Sequence, residues 1–185
     1  LETAGSNYGT PKSSEEIWTE LLKKVDQYYE GSILLAHSLD EMDARAYSFY
    51  NQIDGLYLLI NSDFSINGAY TNENVSQYLD SVIYSMVEGQ EYSLYLGLNG
   101  PSFQTSSTDA MTNDSQPISP TDDRFGSYNV NLYSQTGFYA AYLEAIAARG
   151  WIGGVSSRGY FPGIKLTDFS ASINGKPAFQ FFHNQ

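Results

Sequence analysis

Residues 56–98 constrain the fold more than any other part of the chain, because they read as two strands joined by a helix. Leu56-Tyr57-Leu58-Leu59-Ile60 is apolar on every side chain, as in a strand covered on both faces. From Asn74 the spacing turns helical: Val75, Tyr78, Leu79, Val82, Ile83 and Met86 fall on one face, and Gly89 closes the pattern. "EYSLYLGL" then alternates as a strand up to the Asn99-Gly100 turn. Parallel strands need a crossover of about this length, so the stretch reads as a β-α-β unit. The expected class is α/β (or α+β), with residues 56–60 a buried strand and 92–98 its neighbour or near neighbour.

The flanking segments extend this into a single domain over residues 13–185, preceded by a flexible leader at 1–12. Ser13 and Glu16 have the spacing of a capping box, and Ile17, Trp18, Leu21, Leu22, Val25, Tyr28 and Tyr29 follow as one apolar stripe, stopped by Gly31. From Ser32, the residues Leu35, Leu39, Met42, Ala46, Phe49 and Ile53 are spaced four, three, four, three, four. That is the seam of a second helix, antiparallel to the first, so an N-terminal helical hairpin is expected. The seam could run on through Leu56 and Ile60, but Gly55 can close it. Residues 101–127 are rich in Ser, Thr, Asp and Pro without periodicity and read as a mobile loop. Tyr128, Val130 and Leu132 suggest a strand, residues 137–149 an Ala-rich helix, and "WIGGV" a return to what would be a mixed sheet. The end reads as a β-hairpin: Ile164 and Leu166 alternate, Asn174-Gly175 turns, and Phe179 and Phe181 return on one face beside an edge-strand Pro177. Within it, "INGKPAF" resembles a hairpin common in glycoside hydrolases.

Charge narrows the partners. Residues 1–50 carry a net −5, residues 51–128 a net −9 with Arg124 as the only base, and residues 129–185 a net +2. Such a middle segment repels phosphates, so nucleic acid is a poor partner, and no apolar run is long enough to cross a membrane as a helix. The absence of Cys removes thiolate catalysis and zinc-thiolate sites. The opening "LETAGSNYG" has neither the basic nor the apolar region of a secretion signal, which fits a chain whose leader has been removed. An extracytoplasmic or secreted location is the expectation. The expected partners are a neutral polysaccharide or a cell-surface protein, because sixteen Tyr side chains offer flat apolar area with a polar edge.

Candidate chemistry gathers in the loop after residue 60. If residues 56–60 are a strand, Asp63, Ser65, Asn67 and Glu73 occupy the loop at its carboxyl end, where open α/β sheets place ligands. Were they a helix, Asp63-x-Ser65-x-Asn67-Gly68 would resemble the calcium loop of an EF-hand. That resemblance implies at most a weak calcium site at Asp63, Ser65 and Asn67, because the twelfth position is Asn74 in place of a bidentate Glu, and no cofactor is otherwise expected. His37 and Glu41, four apart on a helix, would offer one face to a metal, and Glu41 also stands four before Arg45 as an ordinary ion pair. A Ser-His-Asp triad lacks support, since no G-x-S-x-G elbow occurs. Trp151, Arg158, Tyr160 and Phe161 could form a platform for sugar rings or peptides.

Two classes of function follow. The favoured one is a non-catalytic domain that binds a neutral polymer or another surface. The alternative is a polysaccharide-directed glycoside hydrolase or a fragment of one, needing two carboxyl groups about 5 to 10 Å apart, with Asp63 first and Glu73 or Asp168 second. A weak calcium-binding domain is the third reading.

Overall fold

The computed structural model describes residues 11–38, 47–61, 70–100, 102–104, 129–157 and 171–183. In chain order these hold α1 (Pro11–Asp26), β1 (Leu34–Ser38), a 3₁₀ turn (Ser48–Gln52), β2 (Gly55–Asn61) and α2 (Asn72–Tyr78). α2 continues through a π-helical stretch (Leu79–Ile83) into α3 (Tyr84–Val87). There follow β3 (Ser93–Asn99), β4 (Phe103–Gln104), β5 (Asn129–Val130), α4 (Leu132–Ala147), β6 (Ile152–Ser157) and α5 (Ala178–His183).

The fold is α/β. Four strands lie in the order β1-β2-β3-β6, every pair parallel, so their order in space follows their order in the chain. The β-α-β unit is present: β2 and β3 are neighbours, with Leu56 opposite Leu94, Leu58 opposite Leu96 and Ile60 opposite Leu98. These leucines and Ile60 form one face, and Val75, Leu79 and Ile83 of the α2 segment and Phe138, Tyr142 and Ala145 of α4 close over it. Each fully buried leucine there contributes about 1.5–3 kcal/mol by leaving water. A second cluster on the same side packs Trp18 and Leu22 of α1 against Leu35, Phe49 and Ile53, and the Tyr92 ring touches both clusters. Helices on one face of a sequentially ordered parallel sheet are the pattern of a β/α barrel segment, whereas a doubly wound sheet reverses its strand order and carries helices on both faces.

Several expectations are corrected. The helical hairpin is replaced by α1 and strand β1. Leu34 to Ser38 pair with Gly55 to Leu59, and a 3₁₀ turn carries Phe49. The residues of the supposed seam that the structure describes, Leu35, Phe49 and Ile53, are buried together, but the backbone that buries them is a strand, a short turn and an extended residue. α1 starts at Pro11, so Ser13 lies inside it; proline suits a first helical turn because its missing N–H would have no partner there. Among the described residues the main sheet is parallel, not mixed, and antiparallel pairing occurs in the separate ribbon β4–β5. Phe103 and Gln104 belong to that ribbon, and Leu132 begins α4 instead of ending a strand; of the rest of the stretch expected to be mobile, Ser102 is described and residues 101 and 105–127 lie outside the described set.

The C-terminal hairpin is also overturned. The Asn174-Gly175 turn exists, with Gly175 at φ 70°, but it leads into α5. Phe179 and Phe181 alternate as a strand would, yet they are 36% and 39% exposed, while Ala178 is 0% exposed and Phe182, four residues on, packs on the core. The buried spacing is therefore helical, and Pro177 stands immediately before the helix. Ile164 and Leu166 lie outside the described residues.

Candidate functional site

Because the four strands are parallel, their carboxyl ends share one edge of the sheet, terminated by Ser38, Asn61, Asn99 and Ser157. Two helices begin at this edge. Thr71 caps α2 by accepting the Asn74 N–H at 3.2 Å, which leaves Glu73 exposed in the first turn beside the positive end of the helix. Asn131 caps α4 by accepting the Ser134 N–H at 2.9 Å, and its own N–H donates to the Ser102 carbonyl at 2.8 Å.

Behind the ends of β3 and β6 lies a buried polar cluster. The Gln135 side-chain amide donates to the Gly100 carbonyl at 2.8 Å and stands 3.4 Å from the carbonyls of Ala171 and Ser172. Lys176, only 3% exposed, donates from Nζ to Ser102 Oγ at 2.8 Å. The Tyr139 hydroxyl donates to the Leu98 carbonyl at 3.1 Å and lies 3.2 Å from Ser157 Oγ. Burial pushes the Tyr139 phenol up to about 12, against a smaller opposing effect of the Ser157 contact, so it keeps its one proton and Ser157 donates in turn.

The sheet face away from the helices has a different chemistry. Tyr57 of β2 reaches across β3 to Ser156 of β6, with 2.6 Å between the hydroxyl oxygens. It passes over Gly97, where a Cβ would collide with the Tyr57 ring and hydroxyl. Gly97→Ala should therefore cost about 1–3 kcal/mol by overpacking. The same change in a Tyr57→Ala background should cost little; urea titration of the four proteins measures it, and an equal penalty in both backgrounds would refute the contact.

At the opposite, amino-terminal edge a cleft of about 850 Å³ opens between α1 and the approach to β2, lined by Lys23, Asp26, Tyr29, Asn51 and Asp54 among others. Asp54 is engaged in structure there, accepting the Ile33 N–H at 2.7 Å.

Of the residues singled out in the sequence, Glu73 stands at the carboxyl edge. Asp63, Ser65, Asn67, Arg158, Tyr160, Phe161 and Asp168 lie outside the described residues; in the chain, Asp63 follows the end of β2 by two positions and Arg158 directly follows Ser157. Trp151 lies at the other end of β6, half-buried, with its ring 5.2 Å from that of Tyr84. The six residues of β6 stand between it and Arg158 in the chain. The EF-hand frame fails because a strand, not a helix, precedes Asp63. The His37–Glu41 helix face fails likewise: His37 is on β1, wholly buried, with Tyr47 stacked at 6.4 Å and the Tyr50 hydroxyl 3.4 Å from Nε2. Among the described residues no group of three His, Asp or Glu side chains could hold a metal, and no helix is long and apolar enough to cross a membrane. Sequence reasoning missed Gln135, Tyr139, Ser102 and the buried role of Lys176. The one available signal was a lysine inside "INGKPAF", a motif otherwise made of turn and apolar residues.

No protein-family model and no curated protein matches the chain. Solved structures do. A GH113 β-1,4-mannanase matches with a TM-score of 0.64 at 19% identity, over 95% of this chain and 53% of that one. The GH113 β-mannanase of Alicyclobacillus acidocaldarius, in complex with ManMIm, matches with 0.60 at 21%, over 92% and 51%. The β-glucuronidase of Ruminococcus gnavus matches with 0.60 at 10%, over 94% and 29%. The chain thus spans about half the length of the mannanases and under a third of the glucuronidase. At these identities the likeness is one of fold.

Proposed function

We propose that this chain is a polysaccharide-directed glycoside hydrolase, or a portion of one, acting outside the cytoplasm on a neutral polymer at the carboxyl edge of its sheet. The observation that carries the reading is the sequential parallel sheet itself. β2, β3 and β6 all deliver their carboxyl ends to one edge, the place where β/α barrels hold their catalytic groups, in a fold similar over almost the whole chain to two kinds of glycoside hydrolase. In this reading Asp63 and Glu73, which bracket the connection from β2 to α2, and Asp168, in the segment after β6, are the candidate carboxyl groups. One would protonate the leaving oxygen and the other would attack the sugar or activate water. Arg158, Tyr160 and Phe161 would hold the sugar chain. No cofactor takes part, and any calcium at Asp63, Ser65 and Asn67 would bind weakly without a bidentate Glu.

The test is release of reducing ends from β-1,4-mannan and other neutral glycans by the purified chain. Asp63→Asn is expected to lower that release by about a hundredfold or more, the usual worth of a positioned acid or base. Release that survives the loss of Asp63, Glu73 and Asp168 together would refute the assignment of these carboxylates.

One observation favours a second reading, non-catalytic binding of a neutral polysaccharide or cell-surface protein. The residues that end the four strands are Ser, Asn, Asn and Ser, with no carboxylate among them. Retention of glycan by the chain with no reducing ends released would decide for binding.

A further inference from the structure

Gln135 and Tyr139 are four residues apart on α4, so they stand one above the other on one face of the helix. That face meets both connections leaving the carboxyl edge on the β3–β6 side. Gln135 holds Gly100, the first residue after β3, and approaches Ala171 and Ser172, which close the segment after β6. Tyr139 holds the Leu98 carbonyl of β3 and touches Ser157, the last residue of β6. Lys176 repeats the link from the other side, reaching from the C-terminal segment to Ser102 in the connection after β3. The Tyr139 ring packs on Phe182 of α5 at 5.3 Å, which holds that segment against α4.

The Gln135 amide can take only one orientation. Its nitrogen faces three carbonyl oxygens, and a flipped amide would set oxygen against oxygen. Its own carbonyl oxygen is buried without a hydrogen-bond partner among the described residues, so the contacts that place the side chain are those of its donors.

We propose that Gln135, Tyr139 and Lys176 are positioning residues that clasp the roots of the segments following β3 and β6 in one fixed relation, and so set the half of the carboxyl edge that holds the polysaccharide. The last clause rests on the carbohydrate reading; the clasp itself does not. Two strand ends in a parallel sheet are fixed by their ladder only as far as the last paired residue, and β3 and β6 pair up to Leu98 and Ser157. Beyond that point, among the described residues, these side chains join the two connections.

The test uses the full 185-residue chain with Gln135→Met, Lys176→Met, the double variant, and Tyr139→Phe as a milder change that keeps the ring. Amide hydrogen exchange is followed in peptides covering residues 98–104 and 155–173. Each single variant is expected to speed exchange in both regions together by about tenfold, with β1 and β2 unchanged, as for local opening of one cooperative unit. The double variant should do less than the product of the two, because both act on one clasp. Retention on immobilised β-1,4-mannan should fall in the same variants while the melting transition stays cooperative. Exchange that rises in one region only for each variant, or effects that multiply independently, would overturn the clasp and leave separate local contacts. Equal loosening of β2 would also overturn it, as a general loss of stability. A wild-type chain that retains no glycan would sink the carbohydrate reading, while the exchange measurements would still decide the clasp.

Discussion

Leu96→Ala should lower the unfolding free energy by about 2–5 kcal/mol, the range for removing a fully buried leucine from a core that cannot collapse around the gap. Leu96 sits in the middle of β3, with Leu58 on one side, Val155 on the other and the helical layer above. Both of its neighbours are held by parallel ladders, so the sheet cannot close over the missing methyl groups without breaking register. Leu34→Ala is the control: at 38% exposure on an outer strand it should cost only about 1 kcal/mol, since less of its apolar surface leaves water. Urea titrations with equal slopes would measure both, and a Leu96→Ala loss below that of the control would mean that the packing described for β3 is wrong.

Acid should weaken the fold through His37. Burial among Tyr47 and Tyr50 pushes its imidazole down from 6.5 to about 4. Above pH 6.5 the ring is neutral in both folded and unfolded chains and contributes no pH dependence. Between pH 6.5 and about 4 the unfolded chain takes up a proton that the folded chain refuses, so stability falls as the pH falls through that window, by about 3 kcal/mol in all. Below it the slope ends, since both states are then protonated. Carboxylates titrate in the same region, so the informative quantity is a difference. Stability measured by denaturant from pH 4 to 7 for the native chain and for His37→Phe should diverge toward low pH, the variant losing less. Parallel curves would show that the imidazole is not held neutral by its surroundings.

Two kinds of information in the sequence met different fates. The unit from β2 to β3 was legible because its signals are local: an all-apolar run, a helical spacing and an alternation each fix one element without reference to distant chain. β1 was not legible because nothing local makes it a strand. Leu34 to Ser38 are extended because Gly55 to Leu59 offer a partner about twenty residues away, and the spacing of Leu35, Phe49 and Ile53 fits a helical seam equally well. In α5 the exposed aromatics gave the stronger pattern, while the residue that anchors the helix was the small Ala178. The site divided in the same way. That the connection after β2 leaves from the carboxyl edge was legible because a strand at residues 56–60 fixes which end it leaves from. Lys176 and Ser102 were missed, since 74 residues separate two side chains that touch and neither has a sequence neighbour that announces the other.

Val75, Leu79 and Ile83 are four residues apart, and all three are fully buried against the sheet. On a regular α-helix each step of four advances the side chain by about 40°, so the third would have swung well round toward solvent. The wider turns of the π-helical stretch at Leu79–Ile83 take up that drift and keep the three in line. The helix in effect accommodates one residue beyond what an α-helix over this sheet would need, which makes it a place where the chain's length and its packing are out of step by a single position. Deleting Ser81, an exposed residue of the stretch, would let the helix return to regular geometry with Ile83 seven positions after Val75, a step that stays within about 20° of the same face. Tyr84 would then stay beside Trp151, so the π stretch is the one place in this helix where a residue can be lost without turning the apolar face away from the sheet.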